Sequence, residues 1–355
     1  MGGACHVAAG IMVVLAGSTA LFGSTDASAQ PTSADRCELE GKPIDSTSPA
    51  AMQGTSGRLL CRNSATGKVT RDANFDGGHQ LGLSRLFYPD GGLRRVAFST
   101  GTGGDRAVAE FTARGSLSML RCADKPLLLP VVDDARLCGF NSSGAATVDL
   151  FDEHEVRRSR ITHLNGRRLR SESFYDNGIV ATQEDLIGNQ RIERQYASDG
   201  SRRSETVYVV ERGRSQRMSF REFSSGDLLV REQAWNETGE PLRDDFYFAE
   251  TGGPRKTTRY QRQGSVRTAE VVEYLQSGQV AFRGHYLAPP QAPLLPTGTH
   301  QRFDAQGAVV AESVYSVKGK LLRERAWGPD GQLLVDDSVG DAVSQGAAGG
   351  AAQKQ

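Results

Sequence analysis

Apolar material is scarce in this chain. Hydrophobic residues make up 38% of the sequence, too little for one thick globular core, whereas a thin sheet needs less. A charge surplus is missing too: 42 basic residues balance 42 acidic ones, which argues against a general nucleic-acid binder, whose surface carries a basic excess. Lysine is rare, with 7 against 35 arginines. A retained membrane span needs about 20 unbroken apolar residues, and the one apolar N-terminal run is interrupted by Gly17, Ser18 and Thr19. No Gly-x-Ser-x-Gly elbow, phosphate loop or zinc signature occurs. The pairs Asp133-Asp134, Asp244-Asp245 and Asp336-Asp337 lack calcium-loop spacing. No cofactor or metal site is expected.

What the chain has is glycine, on a beat. Between Asn165 and Gly278 glycines fall at 166, 178, 188, 200, 213, 226, 239, 252, 264 and 278, a step of 10 to 14 residues. An aromatic stands four residues before many of them: Phe174, Tyr196, Trp235, Phe248, Tyr260 and Tyr274. A step near 12 is a strand of roughly eight residues plus a turn of roughly four. Asp90-Gly91, Asn165-Gly166, Asn177-Gly178, Asp199-Gly200 and Asp330-Gly331 supply the positive φ that tight turns need. Runs such as Thr206-Val207-Tyr208-Val209-Val210 favour strand, and the glycine density excludes long helices. The expected fold is all-β: an elongated antiparallel meander of β-hairpin repeats, single-layered or rolled.

Tracing the beat outwards divides the chain. Residues 1–29 read as a signal peptide: an apolar run from Val7 to Leu15 precedes the small-x-small site Ala27-Ser28-Ala29. Cleavage near Ala29-Gln30 delivers the mature chain to the periplasm or outside the cell, with no transmembrane helix. Residues 30–56, rich in Ser, Thr, Pro and Ala, read as an irregular linker. The array covers 57–338, with irregular insertions near 122–138 and 288–298, each expected to replace one turn without breaking the sheet. Their prolines belong in loops or edges. The Gly/Ala-rich segment 339–355 is expected to be a disordered tail.

Removing the signal leaves Cys37, Cys61, Cys122 and Cys138. An even count in an oxidising compartment points to two disulfides. Three connectivities exist; Cys37–Cys61 with Cys122–Cys138 is preferred, because each pair brackets a Pro-containing irregular segment.

The phrase Asn165-Gly166-Arg167-Arg168-Leu169-Arg170-Ser171-Glu172-Ser173-Phe174-Tyr175-Asp176-Asn177-Gly178 resembles the variant MORN repeat of the YwqK-family antitoxins of toxin–antitoxin systems. The pattern is an Asn-Gly turn, an apolar residue, a mid-strand Glu, an aromatic and the next Asn-Gly. Leu-Leu-Val-Arg-Glu-Gln-Ala-Trp ending at Trp235 and Leu-Leu-Arg-Glu-Arg-Ala-Trp ending at Trp327 are near-copies. Phe174 to Gly178 is also similar to the YD repeat of RHS-type proteins. The first resemblance implies a toxin-neutralising protein, the second only a repeat sheet.

Glutamates recur five or six positions after the turn glycine at 184, 205, 232, 270, 312 and 324. With arginines beside them, as at Arg170/Glu172, Arg231/Glu232 and Arg323/Glu324, they read as a cross-strand ladder on a solvated face in preference to a catalytic row. His154 and His163, nine apart, are the one histidine pair placed to meet on adjacent strands. Charge is zoned: from Val156 to Arg221 there are 14 arginines against 8 acids, and from Glu222 to Arg255 8 acids against 3 arginines. Arg157, Arg158, Arg167, Arg168, Arg170, Arg191, Arg194, Arg202 and Arg203 form the candidate basic interaction zone, suited to a protein partner or an anionic envelope polymer. The expected function is a non-enzymatic, exported repeat protein that binds through an elongated β surface; the alternative is a YwqK-like antitoxin or immunity component.

Overall fold

The computed structural model describes residues 35–101, 104–141 and 144–339. The signal peptide, residues 30–34 and the tail beyond Val339 lie outside them. The described residues form an all-β chain of two antiparallel sheets. The first holds β1 (Asp35–Leu39), β2 (Lys42–Ile44), β3 (Gly57–Asn63), β4 (Val69–Asp76), β5 (His79–Phe87), β6 (Leu93–Thr100), β7 (Asp105–Phe111) and β8 (Leu117–Arg121). The second begins with β9 (Ala146–Phe151), β10 (Arg157–Leu164), β11 (Arg167–Phe174), β12 (Val180–Ile187), β13 (Gln190–Tyr196), β14 (Arg202–Glu211), β15 (Arg214–Phe223) and β16 (Leu229–Trp235). It continues through β17 (Pro241–Tyr247), β18 (Pro254–Gln263), β19 (Val266–Tyr274), β20 (Val280–Leu287), β21 (Leu295–Phe303), β22 (Val309–Tyr315), β23 (Leu321–Trp327) and β24 (Leu333–Ser338). Every strand of this sheet pairs with its chain neighbour, so the order is linear and neither sheet closes into a barrel.

The glycine beat is the turn beat, and the turns are of two kinds at two ends of the second sheet. At one end the connections run five or six residues: 152–156, 175–179, 197–201, 224–228, 248–253, 275–279, 304–308 and 328–332. At the other, four are two-residue turns, at 165–166, 188–189, 212–213 and 264–265. The structural repeat is therefore a two-strand hairpin, twice the period of the glycines. Before seven of the longer turns the register shifts, and the residue after the shift is aromatic: Phe174, Tyr196, Phe223, Tyr247, Tyr274, Phe303 and Trp327. Such bulges add local twist and re-aim a side chain. Of the aromatics marked in the sequence, Phe248 falls inside a turn and Tyr260 in mid-strand. In two longer turns the left-handed position is held without glycine, by Glu155 (φ 64°) and Asp227 (φ 59°). Both carboxylates are used: Glu155 accepts from Thr112 Oγ1, and Asp227 Oδ1 accepts from Arg202 N at 2.6 Å.

Three sequence expectations change. The stretch 30–56 is not an irregular linker throughout: Asp35–Leu39 pairs with Gly57–Asn63, and Cys37 lies directly opposite Cys61 in that ladder. The first insertion does break the sheet. Beyond Arg121 the chain leaves the ladder, and α1 (Pro49–Met52) and α2 (Asp134–Leu137) are the two short helices described, α2 within this insertion. Leu128, Val132 and Cys138 of the insertion pack with Val96, Leu120 and Leu150, so one core fills the wedge between the two sheets. The second insertion leaves the ladder intact, because β20 pairs with β21 across it. Pro296 sits inside β21, contrary to the expectation for proline. It pairs with Tyr286 on one side, and pairing with β22 begins only at Gly298, so its missing donor leaves no gap in that ladder.

Both disulfides form as the preferred pairing, Cys37–Cys61 and Cys122–Cys138. The second ties the two ends of the insertion. Asp134, 2% exposed, accepts from the N–H groups of Leu127 and Leu128 and holds the apolar segment in the wedge.

Candidate interaction surface

One row of side chains crosses the entire second sheet. Successive cross-strand partners are Asp149, Arg160, Glu172, Gln183, Arg194, Glu205, Arg221, Glu232 and Asp245. The same row continues through Thr257, Val272, Arg283, Gln301, Glu312, Arg325 and Asp336. Val272 is its one apolar member. Directly opposed residues share a face and lie within contact distance, so the sheet carries a charged spine perpendicular to its strands.

The central carboxylates of the spine are withdrawn from water, where the sequence suggested a solvated face. Glu205, Glu232 and Asp245 are buried, Asp245 to 1% exposure, and so is Asp185, two residues along β12 from the spine's Gln183. Each lies under arginines: Arg194 reaches Asp185 at 2.6 Å and Glu205 at 2.8 Å, while Arg221 at 2.9 Å and Arg243 at 2.8 Å share Glu232. Arg259 covers Asp245. Burial alone would raise the Asp185 carboxyl, but hydrogen bonds from Arg170, Gln183 and Arg194 outweigh it and hold it below its ordinary value. Charge-assisted bonds of this kind are stronger than neutral ones. The recurrent glutamates are not one row: Glu184 and Glu324 sit beside Gln183 and Arg325 in sequence and so point to the opposite face. The arginines beside these glutamates do pair across strands, with aspartates. Arg231 bonds Asp244 through two contacts of 3.0 Å, and Arg323 bonds Asp336. Arg170 does approach Glu172, at 3.9 Å, but holds Asp185 at 2.7 Å.

The opposite face combines arginine with aromatic rings. The Arg191 guanidinium stands 4.5 Å from the Tyr208 ring and that of Arg231 4.8 Å from Phe246. At strand ends Arg157 covers Phe174 and Arg202 covers Phe223, both at 4.1 Å. Contacts of this geometry contribute about 0.5–2 kcal/mol each.

The candidate basic zone is therefore largely neutralised from within. Arg158 is shared by Asp152 and Asp176, Arg168 bonds Glu184, and Arg191 bonds Glu193 at 3.1 Å. Arg167 donates to the Gly188 carbonyl at 3.1 Å. Among the described residues Arg203 alone of the nine is exposed with no hydrogen bond, ion pair or ring contact, though its charge reaches Asp199. The charge sum of the segment counts most of these acids but does not say which arginines each carboxylate reaches.

His154 and His163 do not meet. They flank opposite ends of β10, His154 exposed in the 152–156 turn and His163 4% exposed near the two-residue turn. His163 lies against the insertion with its Nδ1 unpartnered. Burial, and secondarily the charge of Arg168, push its pKa below the ordinary 6.5. His300 is buried as well, its Nε2 2.7 Å from the His285 carbonyl and its ring between those of Tyr286 and Tyr315. Among the described residues no three His, Cys, Asp or Glu side chains are grouped to hold a metal.

Clefts flank α2. One of about 510 Å³ is walled by Leu93, Phe111, Leu117 and Val131 with Asp133 and Arg136 at its rim. A second, of about 380 Å³, lies towards Ala146 and Val148 of β9. A third, of about 440 Å³, is formed by Phe246, Tyr247, Phe248 and Arg255. No helix among the described residues is long and apolar enough to cross a membrane.

No protein-family model matches the chain, and no curated protein matches it in sequence. Among solved structures, S. aureus TarM is 13% identical over 26% of this chain and 18% of that one, with a TM-score of 0.21. A TcdB2-TccC3 structure is 13% identical over 79% of this chain and 16% of the other, with a TM-score of 0.14. The Photorhabdus luminescens Tc holotoxin pore is 9% identical over 86% of this chain and 23% of the other, at 0.11. This chain spans less than a quarter of the length of these structures. Scores this low establish no shared architecture.

Proposed function

We propose that the chain is an exported, non-enzymatic repeat protein whose long second sheet serves as a binding surface for a partner protein in the cell envelope. The observation that carries this reading is the sixteen-strand open sheet itself, unclosed and crossed by one charged spine whose central carboxylates are buried. Repeat arrays of this type are stabilised by neighbour contacts and expose extended surfaces. Export is supported by the N-terminal apolar run ending at Ala27-Ser28-Ala29 and by the two disulfides. A protein is favoured over an anionic polymer because the arginines that would hold a polymer are engaged by the sheet's own carboxylates.

Photo-crosslinkers placed at exposed positions along the sheet, such as Leu242, Val266 and Leu322, test this in the native envelope. A single protein captured from several of these positions is the expected result, and a toxin in that role would give the sheet the antitoxin function its repeat phrasing resembles. Capture of anionic polymer alone, or a mature chain still carrying residues 1–29 in the cytoplasm, would overturn the proposal.

A further inference from the structure

Among the described residues four strand edges terminate the two sheets, and three of them are guarded. The β2 edge is three residues long and contains Pro43, which cannot donate to an added strand. The β8 and β9 edges face the wedge filled by the Cys122–Cys138 insertion. The fourth edge, β24, carries no proline or lysine, and all six of its residues are exposed. Leu333 (46%), Leu334 (65%) and Val335 (40%) make it an exposed apolar run on a ladder edge that no other described strand pairs with. An edge of this kind is a template for strand addition.

The geometry points to a second copy of this chain as the occupant, joined β24 to β24 in an antiparallel, two-fold arrangement. The strand is self-complementary in that sense only. Its first half is Leu333-Leu334-Val335 and its second half Asp336-Asp337-Ser338. Antiparallel pairing centred on the apolar triplet sets Leu334 against its own image and Leu333 against Val335 of the other copy, and carries the four carboxylates to opposite ends. Parallel pairing in register stacks Asp336 and Asp337 on their copies, where like charges directly opposed are destabilising. A head-to-tail joint is excluded because the other edges of the partner are blocked. The contact is therefore isologous and closes at two copies, not a fibre. The chain's own continuation is a poor competitor: residues 340–355 are mostly Gly, Ala and Gln, with Val343 as the one β-branched residue. In the dimer the two sixteen-strand sheets become one of thirty-two strands, which doubles the length of the surface proposed above without depending on what that surface binds.

Sedimentation velocity on the full mature chain from nanomolar to tens of micromolar tests the proposal. A concentration-dependent dimer is expected, weakened about a hundredfold by Leu334→Lys, in which each copy loses an apolar contact and gains a charge at the joint. Circular dichroism and an unchanged melting temperature show that this exposed substitution leaves the fold intact. Under mild oxidation Leu334→Cys should give a disulfide-linked dimer, whereas Leu322→Cys, one strand inside the edge, should not. A chain that stays monomeric throughout, that dimerises only after residues 340–355 are deleted, or that crosslinks equally well from position 322 overturns the inference.

Discussion

Arg221 and Glu232 face each other directly across β15 and β16, with Nε 2.9 Å from Oε1 and the glutamate 6% exposed. Arg243 reaches the same oxygen from the other side. The carboxylate is out of water while both guanidinium groups keep a third or more of their surface exposed, so the two partners are not equivalent. Glu232→Ala leaves arginines that can turn to solvent and is expected to cost about 1–3 kcal/mol. Arg221→Met with Arg243→Met leaves a buried charge without a partner and should cost more, on the order of 3–5 kcal/mol. Urea unfolding of the two variants decides the order; the reverse ranking would show that the arginines, not the buried acid, hold the spine.

Stability should fall in two windows as pH drops. Asp149 is held below its ordinary 3.8 by the hydrogen bond from Arg160, and Asp185 by Arg170, Gln183 and Arg194 against the effect of burial. Because these folded values lie below the unfolded ones, the unfolded chain takes up protons first. Their contribution is complete above about pH 4 and is lost as pH falls through the folded values. His163 is also depressed, by burial and then by Arg168, so its loss starts earlier, as pH falls below 6.5. Chemical denaturation from pH 8 to 3 should show both steps, and His163→Phe should remove the upper one while leaving the lower. An unchanged upper step in that variant would assign it elsewhere.

The turns were legible because their chemistry is local. Asn165-Gly166 takes φ values of 48° and 75° in a two-residue hairpin, as its sequence requires. The alternation of turn types was not, because it depends on which end of the sheet a connection occupies. The pairing of Asp35–Leu39 with Gly57–Asn63 was hidden by a composition poor in strand formers, and a non-local ladder and a disulfide fix it. Burial of Glu205 and Glu232 was hidden for a similar reason. A mid-strand glutamate looks solvated until the arginines from the strands on either side are placed over it.

Cys122–Cys138 should matter most at the joint between the sheets. The bridge closes a loop of 16 residues, for which loop-closure entropy alone gives about 3 kcal/mol. Cys122→Ala with Cys138→Ala is expected to lower global stability by about that amount. It should also open the insertion to proteases before either sheet, since Leu128 and Val132 are held there by packing and by Asp134. Limited proteolysis with mapping of the first cut checks this. A first cut within β10–β24 would contradict it.

Gly166 offers the sharpest test of how the second sheet docks on the insertion. Its N–H donates to the Cys138 carbonyl at 2.9 Å, and that of Asn165 to the Gly139 carbonyl at 2.9 Å. A Cβ at 166 would stand 1.9 Å from the Ala123 carbonyl oxygen, whereas one at Gly188, the corresponding turn of the next hairpin, meets nothing within 4 Å. Both positions have positive φ, 75° and 62°, so alanine is strained at either by about 1 kcal/mol. The difference between the two variants therefore isolates the close approach. Gly188→Ala should cost about 1 kcal/mol, and Gly166→Ala at least 2 kcal/mol more, because backbone on both sides must move apart. Thermal unfolding of the pair measures it, and equal losses would mean that the β10–β11 turn does not rest against the insertion in solution.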